Sequence, residues 1–256
     1  MSHQKTYTGS EPIRVNKWLA QEGVCSRREA ESLIAGGQIR IDGAVVTDPG
    51  RKISPGQVLT VGEAGAKELA AAVTVVINKP IGLVSAQPEP GQVPAARLLT
   101  RKALWGALKL DPDPSWSLAP LGRLDLDSRG LLILSQDGVL TRAVIGPQSL
   151  VDKEYIVDVA GAITPQKVRL LRHGLRLDDR ALKPAKIELL APQRLRFTLT
   201  EGRNRQIRRM CELVDLMVVD LFRVRIGPLA LGALPEGRWR PMTPEERASL
   251  IKAAAG

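Results

Sequence analysis

The chain reads as an α+β protein: a small module of two helices on a short sheet, followed by a larger domain on a mixed, mainly antiparallel sheet. Three observations predict this. A compact helix–helix–strand pattern fills residues 13–61. Beyond it, short alternating or β-branched runs recur, with few helices long enough to cross over between parallel strands. No internal repeat is visible.

Residues 13–21 have a helical pattern, with Val15, Trp18 and Leu19 on one side, broken at Gly23. Ser26 followed by Glu29 is a capping box, in which each side chain satisfies the other's exposed amide. The helix it starts, 27–35, turns Ala30, Leu33 and Ile34 inward and stops at Gly36-Gly37. Residues 39–41 form a strand, Asp42-Gly43 a hairpin turn, and 45–46 and 58–61 further strand. The Gly- and Ala-rich stretch 62–72 reads as a linker. The second domain covers 73–243. It opens with a strand at 73–77 that ends in Asn78-Lys79-Pro80. Pro and Gly punctuate 85–117 around a helical patch at 95–108. Residues 131–134 are a strand, and Asp137-Gly138 leads into a short helix at 139–144. Runs 155–159, 186–190 and 195–200 are neighbouring antiparallel strands, and 206–213 is a helix. Strands at 217–221 and 223–226 follow, then a C-terminal helix and tail at 244–256.

Thirty-seven Lys and Arg against 27 Asp and Glu give the 256-residue chain a net charge of +10, which favours a nucleic-acid partner over an acidic small molecule. A basic protein without a polyanion partner remains the alternative. Cys25 and Cys211 lie far apart and neither belongs to a C-x-x-C pair, against a disulfide scaffold and against zinc. With only His3 and His173, a multi-histidine metal centre or a Ser-His-Asp triad lacks material, so no metal is expected. The longest nearly apolar run, 69–77, is far short of a membrane span, and residues 1–10 lack a signal peptide's apolar core. A cytoplasmic location without a membrane partner is the default expectation. Neither G-x-G-x-x-G nor a Walker motif appears.

The run from Gly122 to Leu132 places Arg123 two residues before Asp125, between a Pro/Gly-marked loop and an apolar strand. On an extended segment Asp125 and Asp127 share one face, and Leu124 and Leu126 the other. Carboxylates so close leave no room for the water of a typical glycosidase pair. A lone aspartate beside arginine fits nucleophilic or electrostatic catalysis at a sugar carbon. In the competing reading, Asp127 and Ser128 simply hydrogen-bond the turn backbone. Between 203 and 209 lie four arginines. Arg205, Arg208 and Arg209 can present a phosphate-binding surface, while Arg203 can turn inward to meet a carboxylate. A solvated charge run is the alternative. In the first module Arg14, Lys17, Arg27, Arg28 and Arg40 are candidate phosphate contacts, the pair at 27–28 lying in a helix's first turn. Seven basic against six acidic residues between 11 and 60 make that module's bulk field weak, so solvated arginines are an equal reading. Tyr155, at a polar strand start, is a base-stacking candidate or a core-edge tyrosine. Cys211 reads as a core thiol.

Four ordered motifs carry a family resemblance: Asn78-Lys79-Pro80-x-Gly82, Gly122-Arg123-Leu124-Asp125 with Ser128-x-Gly130-Leu131, Lys153-x-Tyr155, and residues 201–210. Together they resemble the RsuA/RluF-like ribosomal RNA pseudouridine synthases, and residues 13–61 resemble the αL-type RNA-binding domain those enzymes carry. Val84-Ser85, Lys153-Glu154-Tyr155, the wording of 203–212 and Arg223-x-Arg225-Ile226 are most similar to the RluF branch, which acts on large-subunit RNA. The resemblance implies isomerisation of a specific uridine to pseudouridine in large-subunit (23S) ribosomal RNA, without cofactor. Asp125 would act at the ribose of a flipped-out uridine and Arg203 would hold its carboxylate. Tyr155 would stack on the base, and Arg123 would fill the vacated space. Lys153 would join the RNA contacts, and Lys79-Pro80 would be a structural motif nearby. A monomer is expected, acting on ribosomal RNA free or in a pre-ribosomal particle, with transfer RNA as a possible second target. The alternatives are a non-catalytic assembly factor, a synthase for small-subunit or transfer RNA, and, from the carboxylate pair alone, a nucleic-acid glycosidase. Ser128 replaces the family's more usual threonine, 145–152 departs from the pattern, and 85–117 is longer.

Overall fold

The computed structural model describes residues 3–107 and 110–255. Met1 and Ser2 of the polar start, Leu108 at the end of the 95–108 patch, and Gly256 of the tail lie outside the described residues. Two compact units form: Met1–Val73 with Ser135–Arg142, and Thr74–Leu134 with Ala143–Gly256.

In the first unit, helices α1 (Val15–Gln21) and α2 (Arg27–Ala35) pack on strands β1 (His3–Thr6), β2 (Ile39–Ile41), β3 (Ala44–Val45) and β4 (Val58–Val61). The sheet order is β1-β4-β2-β3, all antiparallel. Trp18, Leu19, Leu33, Ile34 and Ile39 fill the core together with the buried Cys25, whose thiol burial pushes up to about 12. The capping box forms: the Glu29 N–H donates to Ser26 Oγ at 3.2 Å, and the Ser26 N–H to the Glu29 carboxylate at 2.5 Å. Helix α1 begins later than the pattern predicts, because Ile13 and Arg14 pair as strand with Ile53 and Lys52. The expected linker 62–72 contains a helix, α3 (Glu63–Ala70). Its Gly65 lies so close to Leu33 that a Cβ there would stand 2.9 Å from Leu33 Cδ2, so a residue that suggests slack is required by packing.

The second unit holds β5 (Thr74–Lys79), β6 (Arg129–Ser135), β7 (Lys153–Ala160), β8 (Lys186–Ala191), β9 (Arg194–Leu199), β10 (Met217–Ile226) and β11 (Trp239–Pro241). They lie in the order β8-β9-β7-β10-β6-β5-β11, and two short strands on β6 and β10 bring the sheet to nine. The pairs β8–β9, β9–β7, β7–β10 and β11–β5 are antiparallel, while β6 runs parallel to β10. Helix α4 (Gly138–Ile145) starts among residues of the first unit, and α5 (Pro165–Arg172), α6 (Gln206–Glu212) and α7 (Pro244–Ala255) belong to the second. Val157, Phe197 and Ile187 of the sheet pack against Leu171 of α5 and Ile207, Met210 and Cys211 of α6. Cys211, like Cys25, is pushed up to about 12 by burial. The two strands expected at 217–226 are one, since Phe222 continues the ladder opposite Ile156. Helix α5, not anticipated, is started by Thr164 accepting from the Lys167 N–H, with Pro165 as first residue. The helical patch at 95–108 resolves into two short 3-10 turns, Ala95–Leu98 and Arg101–Ala103. No helix among the described residues is long and apolar enough to cross a membrane.

Candidate active site

The chain between the short strand Ala119–Pro120 and β6 is a turn, which overturns the expected extended segment: Leu124 is 5% exposed and Leu126 44%, so the two leucines do not share a face. Its backbone is fixed from several directions. The Leu121 N–H donates to the Ile133 carbonyl, which ties the loop's start to β6. Gly122 takes a left-handed φ of +86°. Ser85 Oγ both accepts from the Leu124 N–H, at 2.8 Å, and donates to the Leu124 carbonyl, at 2.7 Å. The Ser128 N–H closes the turn onto the Asp125 carbonyl, and the Gly82 N–H reaches Leu126. Arg223, 1% exposed, donates to the carbonyls of Leu131, Gly122 and Arg123 at 2.7, 3.0 and 3.3 Å.

Both carboxylates meet Arg205, whose guanidinium stands 3.7 Å from Asp125 and 3.0 Å from Asp127. Arg205 sits at the N-cap of α6 in the left-handed region, φ +48°. The expected partner, Arg203, does not reach Asp125. It donates to the carbonyls of Leu177, Arg180 and Ala181 and lies 3.6 Å from Glu201. Asp127 does bond the turn backbone, as the competing reading has it, and in addition Arg205 and Arg208 hold its carboxylate. Partial burial raises its pKa, but the Arg205 hydrogen bonds and the charges of Arg208 and Arg205 outweigh that and leave it below the usual carboxylate range.

Two more expected RNA contacts are turned inward. Arg208 is 8% exposed and donates to the carbonyls of Asp127 and Val218, so it binds the aspartate loop where a phosphate was expected. Lys153 is 9% exposed and donates to the carbonyls of Val144 and Val151. Burial and then the Arg223 charge lower its pKa to about 8. Lys79, fully buried, donates to Pro80 and Leu83 and is lowered to about 8 by the same two causes, against the opposing pull of Asp125 and Asp127. Arg209 pairs with Asp178 at 2.6 Å. Arg123 is exposed at the site, while Lys17, Arg27 and Arg28 lie exposed on α1 and α2.

Tyr155 of β7 is half-buried opposite Arg223, whose guanidinium lies 5.9 Å from the ring centroid. Arg223 therefore backs both the aspartate loop and the tyrosine. Sequence reasoning used it only as a branch marker, although an arginine inside the strand run Met217–Ile226 is a signal of a buried polar role. Asp125, Arg123, Tyr155 and Arg205 share the wall of an open cleft of about 1090 Å³. No His, Cys, Asp or Glu group among the described residues is placed to hold a metal ion. The geometry presents a fixed carboxylate, a countercharge and an aromatic face around a space larger than a typical small-ligand pocket.

Residues 73–213 match the RNA pseudouridylate synthase family, and residues 13–59 match the S4 domain. The dual-specificity RNA pseudouridine synthase RluF of Escherichia coli strain K12 is 33% identical over 242 residues, covering 94% of this chain and 79% of that protein. The ribosomal large subunit pseudouridine synthase B of Bacillus subtilis strain 168 is 35% identical over 241 residues, covering 91% and 93%. A crystal structure of a pseudouridylate synthase aligns with a TM-score of 0.64 at 26% identity, over 93% of this chain and 99% of that one. The chain belongs to the RsuA/RluF-type RNA pseudouridine synthases, with an N-terminal S4 domain ahead of a sheet-rich catalytic domain.

Proposed function

We propose that the protein isomerises a uridine of large-subunit (23S) ribosomal RNA to pseudouridine, with Asp125 acting at the ribose. The observation that carries this is a half-exposed carboxylate in the cleft, on a loop fixed by Ser85 and Arg223, with Arg205 as its countercharge. A uridine must leave its stack for any group to reach C1′. Asp125 acts there as the C1′–N1 bond breaks, the uracil turns, and the C5–C1′ bond forms. The C5 proton is lost and N1 gains one, so the product is an isomer of the substrate. Tyr155 stacks on the base and helps remove the C5 proton. Arg123 occupies the place the uridine vacates. Phosphates of the incoming strand repel a carboxylate, and Arg205 and Arg123, backed by the buried Arg223, offset that repulsion. The large-subunit assignment draws on the RluF-like motifs and on the name of the Bacillus subtilis relative.

Asp125→Asn is expected to abolish pseudouridine formation while keeping RNA affinity near wild type, measured on ribosomal RNA transcripts. Product at the wild-type rate would remove Asp125 from catalysis, and release of free uracil would make the protein a glycosidase. Comparing pseudouridine positions in ribosomal and transfer RNA with and without the gene identifies the target. Loss of one large-subunit position is the expected result, and no change anywhere would favour a non-catalytic assembly role.

A further inference from the structure

Half of the chain's net charge lies in a segment that the proposed reaction leaves unused. Residues 165–186 hold seven basic residues against two acidic ones, a net +5 of the chain's +10. Lys167, Arg172 and Arg176 donate only to backbone carbonyls, which leaves their charge uncompensated, while Lys186 pairs with Glu188. Arg169, Arg180 and Lys183 are exposed, and Arg180 shares the field of Asp178, whose carboxyl it helps Arg209 to hold below the usual carboxylate range. Of the two carboxylates, Asp178 is already taken by Arg209.

At the centre of this segment is a hairpin, Arg176–Leu177 paired with Arg180–Ala181. Its turn residues Asp178 and Asp179 both have left-handed φ, +53° and +56°. Of residues 176–181 only Leu177 is buried, so the hairpin has almost no core of its own, and an isolated two-stranded hairpin is marginally stable. It is clamped from outside. The Arg203 guanidinium donates to three hairpin carbonyls at 2.7–3.2 Å, and Arg209 holds Asp178 at the turn. Just past the hairpin, Glu201 accepts from the Lys183 N–H at 2.9 Å and from Gln206 at 3.1 Å. Lys183 and Arg203 themselves line the cleft. Lys183 thus stands at the rim of the cleft, directly after a clamped hairpin that carries the exposed Arg180.

We propose that the 176–181 hairpin and Lys183 form an arm for the RNA backbone, with Arg180 and Lys183 contacting phosphodiesters that flank the target uridine. Arg203 and Arg209 serve RNA binding by holding this arm. The inference rests on the reading of the protein as an RNA uridine isomerase. Guanidinium and ammonium groups on a pre-set hairpin bind phosphate without reading sequence, so the arm positions the strand.

The test measures affinity of the full chain for a large-subunit ribosomal RNA transcript across a salt series. Arg180→Ala combined with Lys183→Ala, both exposed positions, is expected to weaken binding and reduce the slope of log affinity against log salt by about one to two units. Unchanged affinity and slope would overturn the arm. Adding Arg203→Gln to that variant is expected to cost clearly less than the sum of the separate losses, because the clamp and the arm act as one. Additive losses would overturn the clamp. Asp125→Asn is run beside them: product from it defeats the catalytic reading, whereas an inactive Asp125→Asn with wild-type binding by the double variant defeats only the arm.

Discussion

Ser85 lies forty residues before Asp125 in the chain and has no charge, yet one hydroxyl satisfies both backbone groups of Leu124, the aspartate's neighbour. Ser85→Ala would leave a buried N–H and carbonyl without partners, at a cost of about 1–3 kcal/mol. The same change frees the peptide that aims Asp125, and a displacement of about an ångström can cost as much as roughly 100-fold in rate. Ser85→Ala is therefore expected to lower kcat by ten-fold or more, as an order of magnitude, with little change in KM for RNA. Single-turnover kinetics beside thermal unfolding check this, and a wild-type kcat would show that the remaining contacts fix the loop without Ser85. At this scale Asp125, Tyr155 and Arg123 were legible from motif order and the structure gathers them in one cleft. The choice between Arg203 and Arg205 was not legible. It depends on Arg205 adopting a left-handed φ, which turns its side chain to the aspartates and leaves Arg203 facing the hairpin. Spacing between arginines carries no trace of that.

Strand β6 can lie parallel to β10 only because residue 130 is glycine. A Cβ there would stand 2.3 Å from the Arg223 carbonyl oxygen and 2.8 Å from its nitrogen, and φ is +109°. Gly130→Ala would push β10 away from the loop that Arg223 holds. It is expected to destabilise the catalytic unit by more than about 2 kcal/mol, the combined order of a strained φ and a backbone clash. Urea unfolding checks this, and a midpoint equal to wild type would mean that the two strands can separate without loss. Among elements, those set by local chemistry were readable: the Ser26–Glu29 box starts α2, and Asp42-Gly43 turns β2 into β3. Elements set by distant packing were not. Helix α3 hides behind glycines that suggest a linker, because the demand for Gly65 comes from Leu33 on another helix. Strand β10 looked interrupted at Phe222, whose ring is covered by Arg129 at 4.1 Å from its centroid, a contact made from another strand.

The charge of the whole molecule is unevenly spread. Residues 11–60 are almost neutral, seven basic against six acidic, so the S4 region can recognise RNA only through a few placed cations. Arg27 and Arg28, exposed at the start of α2, are the candidates there, and they would act through their own charge, because the capping box already occupies that helix end. Replacing both with alanine is expected to raise KM for RNA and lower the salt slope by at most about two units, with a smaller effect on kcat. Binding across a salt series checks this, and an unchanged slope would remove both residues from the RNA contacts.

The two cysteines give this division an experimental handle. Cys25 belongs to the core of the first unit and Cys211 to that of the second, and burial raises both thiols to about 12. A thiolate is the species that reacts with alkylating reagents, so neither residue is labelled while its own core stays shut. Each unit thus carries a built-in clock: the rate at which its one thiol is alkylated times the opening of that core alone, and resolving the two labelled peptides by mass separates the local stability of the RNA-recognition unit from that of the catalytic one.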